Sequence, residues 1–231
     1  CGIGLVNKDD EHAPQIIKAA NCELYTYSEE SKEADFVASD IRYVSQPDFV
    51  GTEFHISGKY DMEVRLGIPG LFNVVNALAA VSVCSFLGLD QARISHALEN
   101  IRVNGRMEIV YTSERCTVLV DYAHNAVSME SLLSTLRDYK PKRLVCVFGC
   151  GGNRSKDRRY SMGEIGGKMA DLSIITADNS RYEKVEDIIA DIRGSIEKTG
   201  GKFIEIPDRR EAIRYSILHA QPGDMVAVIE I

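Results

Sequence analysis

The stretch RLVCVFGCGGNRSKDRR, residues 143–159, decides the fold. It opens with a nearly continuous apolar run, as expected of a strand buried on both faces, and glycines and cations follow at once. Similar apolar runs lie on either side of it, separated by stretches with apolar residues at helical spacing. These runs are TVLV (117–120), LSIIT (172–176), KFIEI (202–206) and MVAVIEI (225–231). The alternation predicts an α/β fold, with a parallel sheet covered by helices on both faces.

Polar loops follow these strands. Because the carboxyl ends of parallel strands share one edge of a sheet, and ligands bind beyond that edge, we expect the loops to converge on a site. Each loop taken alone could equally be a solvated turn or a helix cap, with Asn125 and Asp208 as the candidate caps. The loops are DYAH (121–124), GCGG (149–152), ADNSR (177–181) and DRR (208–210).

The first hundred residues follow a different pattern. Strand-like runs joined by turns, without helices between them, indicate a β-rich region. Two helices are predicted after it, over 71–88 and 91–101, and a domain boundary over 103–106, where VNGR breaks the helical pattern. The strand-like runs are DFVASDIRYV (35–44), GTEFHISG (51–58) and DMEVRLG (61–67), and CGIGLVN (1–7) is separately predicted to be a strand.

Composition excludes several classes of protein. The 231 residues are 45% hydrophobic and 26% charged, as in a folded globular chain, and the net charge of −7 argues against general nucleic-acid binding. The longest apolar run, 74–87, is too short and too polar to span a bilayer. Six cysteines without zinc-binding spacing, and no visible secretory leader, indicate reduced thiols and a cytoplasmic location. No metal site is predicted in this chain.

Five motifs of the chain together point to a known family. They are GLFNVVNALAA (70–80), NGRME (104–108), VDYAHN (120–125), VFGCGGNRSKDRR (147–159) followed by MG (162–163), and TADNSR (176–181). In order and spacing they resemble those of the Mur ligase family, and within it the MurE type, which adds an amino acid to UDP-N-acetylmuramoyl-L-alanyl-D-glutamate. The resemblance implies that residues 1–105 are the later, β-rich and helical half of a central ATPase domain. Residues 106–231 would be most of a C-terminal Rossmann-like domain.

The resemblance also implies a reaction. ATP, with Mg²⁺, phosphorylates the D-glutamate carboxylate of the UDP-linked dipeptide, and the amine of the incoming amino acid attacks the acyl phosphate. The chain contains no G-x-x-x-x-G-K-[ST] phosphate loop. We therefore expect that loop, and most magnesium ligands, to lie upstream in a monomeric enzyme. Residues 1–231 alone are expected neither to hydrolyse ATP nor to ligate, and amino-acid-dependent phosphate release by them would contradict this.

Five residues are implied to bind ATP, and none is assigned a catalytic role. Asn76, with Asn73 beside it, occupies the adenine position of the family. The other three are Arg106, Asp121 and His124. Arg106 would reach ATP from the hinge between the domains, Asp121 would bind the ribose hydroxyls, and His124 would contact the phosphates. The residues alone permit simpler interpretations, since asparagines cap helices and a hinge arginine usually forms a surface ion pair.

The glycine-rich loop is implied to serve the amino acid. It lacks a G-x-G-x-x-G that leads directly into a helix, so it does not match a dinucleotide site. By the family's example Arg159 binds a carboxylate through its planar guanidinium. Asp178, Asn179 and Arg181 match the family's DNPR loop, with Ser180 at the proline position. An arginine at the last position accompanies meso-diaminopimelate, whereas L-lysine lacks the second carboxylate.

Three other functions remain open at this point. A related ligase of the folylpolyglutamate or cyanophycin synthetase type would share the strand and helix alternation but should lack DYAH together with DN-x-R. A nicotinamide-dependent dehydrogenase would require the absent G-x-G-x-x-G. A module that only binds nucleotide weakly is the third.

Overall fold

A computed structural model describes residues 2–46 and 48–229 of the chain. The chain forms two compact units, and the main division falls between Arg102 and Val103. Within the described ranges, no helix is both long enough and apolar enough to cross a bilayer.

The first unit is a five-stranded sheet with three helices. The strands lie side by side in chain order, with β1, β2 and β3 parallel and β4 antiparallel to β5. The elements are β1 (Ile3–Asn7), α1 (Ala13–Ala19), β2 (Glu23–Ser28), β3 (Phe36–Gln46), β4 (Phe49–Gly58), β5 (Met62–Leu66), α2 (Leu71–Phe86) and α3 (Gln91–Asn100).

Helices α2 and α3 bury their apolar faces against this sheet. In α2 the residues Val74, Leu78 and Val81 recur at helical spacing, and all three are fully buried. They share one core with Phe36 of β3 and Phe54 of β4. The core therefore fixes the start of α2, where Asn73 and Asn76 lie, against the sheet.

The second unit is a six-stranded sheet in the order β10-β9-β8-β11-β7-β6. Five of its strands are parallel, and β6 at the edge runs antiparallel to β7. The elements are β6 (Glu108–Thr112), β7 (Cys116–Asp121), α4 (Ala126–Asp138), β8 (Arg143–Phe148), α5 (Asp157–Met169), β9 (Leu172–Ile175), α6 (Val185–Thr199), β10 (Phe203–Glu205), α7 (Arg209–Leu218) and β11 (Asp224–Ile229).

Helices cover both faces of this sheet. Alternate strand residues such as Val145 and Val147 pack with Ala212 of α7 on one face. On the other face the ring of Phe148 lies against α5 at Gly166, and α4 and α6 flank α5. With both faces covered, the carboxyl edge of the sheet remains as the place where a ligand can approach.

The predicted alternation of the second unit and the β-rich run of the first are confirmed. The sequence did not predict α1, which is short and largely exposed, or β2 and β6, which are mostly half-buried or exposed, because none of the three has a clear apolar period. β6 also makes the predicted parallel sheet a mixed one. The last strand begins at Asp224, and the final two residues of the predicted run, like Cys1, lie outside the described residues. Among the described residues, Cys22, Cys84, Cys116 and Cys146 are free thiols.

Candidate functional site

A cavity of about 470 Å³ opens at the carboxyl edge of the second sheet. The loops that follow β7, β8 and β9 form its walls, as predicted from their positions after parallel strands. The loop DRR (208–210), which was predicted to join them, does not line this cavity. Three of its lining residues are arginines and one is a carboxylate, so its walls are strongly cationic. The lining residues are Tyr122, His124, Gly151, Arg154, Arg158, Asp178, Asn179 and Arg181.

The loops after β8 and β9 interlock at two glycines. The Gly152 N–H donates to the Asn179 carbonyl at 2.8 Å. A Cβ on Gly152 would lie 1.9 Å from the Ser180 carbonyl oxygen, and one on Gly149 would lie 2.4 Å from that of Thr176. These distances leave no room for a side chain, so glycine is required for the two backbones to approach this closely.

The three arginines reach the cavity from different places. Arg181 has left-handed backbone, with φ of 50°, and its guanidinium donates to the Gly152 carbonyl at 2.6 Å. Arg154 lies in the loop before α5, and Arg158 lies in the first turn of that helix. Among the residues that the structure describes, the guanidinium groups of Arg154 and Arg158 have no hydrogen-bond or ion-pair partner. Their donors are therefore available to an anionic ligand.

Asp178, Asn179 and His124 complete the polar wall. Asp178 supplies the carboxylate, and the exposed Asn179 supplies an amide from the same loop. His124 lies beside the Tyr122 ring, with ring centroids 5.4 Å apart, and its Nδ1 is 3.2 Å from the Tyr122 carbonyl oxygen. Four of the residues that sequence analysis selected thus line one cavity: Asp178, Asn179, Arg181 and His124.

Arg159 lies apart from this cavity. Sequence analysis assigned it to the carboxylate of the amino acid, but its side chain is only 1% exposed and does not line the cavity. Its guanidinium binds two carboxylates of the chain itself, Glu183 at 2.7 Å and Asp191 at 2.9 Å. Since α5 turns by about 100° per residue, Arg158 and Arg159 point in different directions. The helix phase gives the outward position to Arg158.

The ion pairs of Arg159 change the acidity of its partners. Its hydrogen bond, followed by that from the Asn153 N–H, lowers the pKa of Glu183 to about 2. The pKa of Asp191 is also lowered, because the hydrogen bonds from Arg159 and Lys156 outweigh its partial burial. Both carboxylates are therefore charged at neutral pH.

Glu183→Gln should make the free energy of unfolding depend less on pH in the acid range. A folded-state pKa below the unfolded value, about 4.3, gives stability that is present above pH 4.3 and is lost as the pH falls toward 2. The free energy of unfolding, measured with urea at pH 7, 4 and 3, should therefore fall less steeply in the variant than in the wild type. The matched control is Glu130→Gln, on the exposed side of α4. Equal slopes for Glu183→Gln and the wild type would contradict the assignment.

The two asparagines of the first unit share one turn of α2. Gly70 is the N-cap residue of α2, so neither asparagine caps the helix. Asn73 donates its amide N–H to the Pro69 carbonyl at 2.7 Å, and Asn76 donates to the Asn73 Oδ1 at 3.4 Å. Asn76 is exposed. Its amide is thus placed to bind an external group such as a purine edge, and the assignment stays a prediction.

Arg106 and Asp121 do not line the cavity. Asp121 accepts the Met107 N–H and the Ala123 N–H, both at 2.8 Å, and so connects the end of β7 to the segment that carries Arg106. The Arg106 side chain is exposed. Each Asp121 oxygen retains acceptor capacity for a second donor. The predicted ATP contacts of both residues stay predictions.

Two loop residues are helix caps, as one of the interpretations of the sequence allowed. Asn125 caps α4 by accepting the Ser128 N–H, and Asp208 caps α7 by accepting the Glu211 N–H. Sequence analysis missed Arg154, Arg158 and Tyr122 as lining residues. The cluster of cations after the glycines pointed to the first two, but the sequence could not tell which cations face outward.

Within residues 2–46 and 48–229, no group of three or more histidine, cysteine, aspartate or glutamate side chains is arranged to hold a metal ion.

Two family models match the chain. The model described as "Mur ligase, glutamate ligase domain" matches residues 105–229, and the "Mur ligase middle domain" model matches residues 1–84. Among solved structures, one titled as a UDP-N-acetylmuramoyl-L-alanyl-D-glutamate–2,6-diaminopimelate ligase is similar, with a TM-score of 0.78 and 32% identity over 99% of this chain and 47% of that one. A folylpolyglutamate synthase from Thermotoga maritima, with a TM-score of 0.71 and 20% identity over 96% of this chain and 50% of that one, shares the fold.

Curated relatives carry the same ligase name. The ligase from Trichormus variabilis is 40% identical over 97% of this chain and 45% of its own length. That from Caldanaerobacter subterraneus is 37% identical over 96% of this chain and 45% of its own length. The chain thus spans about half the length of the curated relatives it matches.

Proposed function

The chain belongs to the Mur ligase family, and we propose from this premise that it serves in an ATP-dependent ligase. The ligase adds meso-diaminopimelate to UDP-N-acetylmuramoyl-L-alanyl-D-glutamate, a step of peptidoglycan synthesis. In this proposal residues 1–105 contribute to the ATP-binding domain and residues 106–231 bind the amino acid. The names of relatives that are 37–40% identical support the choice of reaction.

The charge of the cavity is the observation that carries the proposal. Three guanidiniums, from Arg154, Arg158 and Arg181, share its wall with the single carboxylate of Asp178. Arginine binds a carboxylate through two parallel hydrogen bonds, and a carboxylate binds an ammonium group. A ligand with more carboxylates than ordinary amino acids, together with an ammonium group, matches this distribution of charge.

The same distribution separates the two amino acids that MurE-type ligases use. At the end of the side chain meso-diaminopimelate has a carboxylate and an ammonium group, whereas L-lysine has only the ammonium group. L-Lysine would leave at least one arginine without a partner in a partly enclosed site, and a polar site rejects an analogue that lacks one bonding group strongly. The cavity therefore favours meso-diaminopimelate.

The contribution of this chain to the reaction is to bind and orient. ATP supplies the phosphoryl group that activates the D-glutamate carboxylate. Asn73 and Asn76 would hold the adenine through amide hydrogen bonds. Arg106 would reach ATP from the hinge, Asp121 would bind the ribose hydroxyls, and His124 would contact the phosphates. The loops of the second unit would hold the amino acid so that its amine faces the activated carboxylate, since correct placement supplies much of the rate in such reactions.

Magnesium is proposed as a cofactor of the whole ligase. The described residues do not offer a metal site, and none of the steps assigned to them involves the ion. The proposed partners are the UDP-linked dipeptide and the amino acid. The proposal involves no binding to nucleic acid or to a membrane. The proposed location is the cytoplasm, with the enzyme acting as a monomer.

Phosphate release by the complete ligase tests this function. The whole protein that carries this sequence would be supplied with ATP, Mg²⁺ and UDP-N-acetylmuramoyl-L-alanyl-D-glutamate, and with one amino acid at a time. We expect release with meso-diaminopimelate, and a kcat/KM for L-lysine lower by about a hundredfold or more. A preference for L-lysine would contradict the assignment of the amino acid. Release with L-glutamate and a folate acceptor instead would indicate a folylpolyglutamate-type ligase, and nucleotide binding without any release would indicate a binding module.

A further inference from the structure

We infer that Arg159 is a positioning residue for the amino acid, acting through Glu183 to hold together the two loops that bring Arg154 and Arg181 to one cavity. This inference rests on the function proposed above. It gives the buried arginine a role that differs from direct contact with the ligand.

The first step is the connection from α5 to the loop after β9. Arg159, in the first turn of α5, is 1% exposed, and its Nη2 donates to the Glu183 Oε1 at 2.7 Å. Its Nη1 donates to the Asp191 Oδ2 of α6 at 2.9 Å. One cation thus joins α5 to α6 and to Glu183, which lies two residues after Arg181.

The second step is the connection from Glu183 to the loop after β8. The same Glu183 Oε1 accepts the backbone N–H of Asn153. Asn153 has left-handed backbone, with φ of 51°, and its Oδ1 accepts the Tyr182 N–H at 3.1 Å. Asn153 directly precedes Arg154, so this pair of hydrogen bonds fixes the backbone on which Arg154 stands.

The third step is the strain in these loops. Arg181 and Asn153 both have positive φ, a conformation that residues other than glycine adopt at a cost and only where surrounding contacts enforce it. The Glu183 carboxylate supplies such a contact at Asn153, and the charge of Arg159 holds that carboxylate in place. Among the described residues, Arg159 Nε has no hydrogen-bond partner, and a buried ion pair with an unsatisfied donor is weak evidence for a role in stability alone.

The test compares variants of the complete ligase. Arg159→Met removes the cation, Glu183→Gln keeps an acceptor for Asn153 but loses the charge, and Lys156→Met is the matched control. Lys156 also binds Asp191, at 3.0 Å, but from an exposed position without contact to Glu183. The measured quantities are the KM for meso-diaminopimelate, the KM for ATP, kcat and the melting temperature.

We expect Arg159→Met to raise the KM for meso-diaminopimelate about fivefold or more, with the KM for ATP within about twofold of the wild type. Arg159→Lys should recover part of the loss, because it retains the charge but reaches fewer acceptors. The double variant Arg159→Met with Glu183→Gln should be no worse than Arg159→Met, since both act through one link. Lys156→Met should leave both KM values within about twofold.

Two outcomes would overturn the inference. An unchanged KM for meso-diaminopimelate in Arg159→Met is one, and an equal rise in both KM values with a lowered melting temperature is the other. Both require a wild-type enzyme that uses meso-diaminopimelate. If the wild type itself shows no release of phosphate that depends on this amino acid, the proposed function fails instead.

Discussion

Gly152→Ala is expected to separate the two cavity loops, destabilise the second unit and weaken amino-acid binding. The added Cβ would lie 1.9 Å from the Ser180 carbonyl oxygen and 2.6 Å from its carbonyl carbon, both of them backbone atoms. The loops must move apart, and the 2.8 Å hydrogen bond from the Gly152 N–H to Asn179 would be lost. Overpacking of this kind costs about 1–3 kcal/mol. In the complete ligase we expect that loss of unfolding free energy, together with a KM for meso-diaminopimelate about tenfold higher or more.

Two alanine variants are the controls for this prediction. At Gly151 the nearest atom to an added Cβ is the Asn179 carbonyl oxygen at 3.7 Å, an ordinary contact, so Gly151→Ala should keep the free energy of unfolding within about 0.5 kcal/mol of the wild type. At Gly194, in α6, no heavy atom lies within 4 Å, and Gly194→Ala should leave the KM unchanged. Equal effects of Gly152→Ala and Gly151→Ala would show that the close approach of the loops does not matter.

Arg181→Ala is expected to give the other large effect, on the choice of amino acid. A charge-assisted hydrogen bond contributes about 1.5–3 kcal/mol, which corresponds to a factor of about 10 to 150 in binding. The KM of the complete ligase for meso-diaminopimelate should rise about tenfold or more. The KM for ATP should barely change, because the contacts proposed for ATP, at Asn76, Arg106 and Asp121, involve other residues.

The control for Arg181→Ala is another arginine of the second unit. Arg214 is exposed on α7, and within residues 2–46 and 48–229 its guanidinium has a single ion-pair contact, 3.8 Å to Glu211. Arg214→Ala therefore removes the same charge at a position that does not line the cavity. It should leave both KM values within about twofold. If Arg181→Ala changed the KM for ATP and for meso-diaminopimelate equally, the assignment of the DNSR loop would be wrong.

The sequence predicted those parts of the fold that a local period specifies. Spacing alone shows which residues of these elements face the core. This holds for the apolar runs of β7, β8, β9 and β11 and for the buried residues of α4, which are Met129, Leu132, Leu133 and Leu136. The strands β2 and β6 are mostly half-buried or exposed, so their sequence carries little period. Their places depend on pairing with distant strands, which composition and spacing do not encode locally.

The candidate site divides in the same way. The order of strands and polar loops along the chain was enough to predict that Asp178, Asn179, Arg181 and His124 meet at one edge of the sheet. It could not decide among the cations at 154, 158 and 159. That choice depends on where α5 begins and on two carboxylates, those of Glu183 and Asp191. These lie 24 and 32 residues after Arg159 in the chain. Only the tertiary structure brings those charges against Arg159 and leaves Arg154 and Arg158 facing the cavity, because a buried guanidinium is tolerated only where opposite charges surround it.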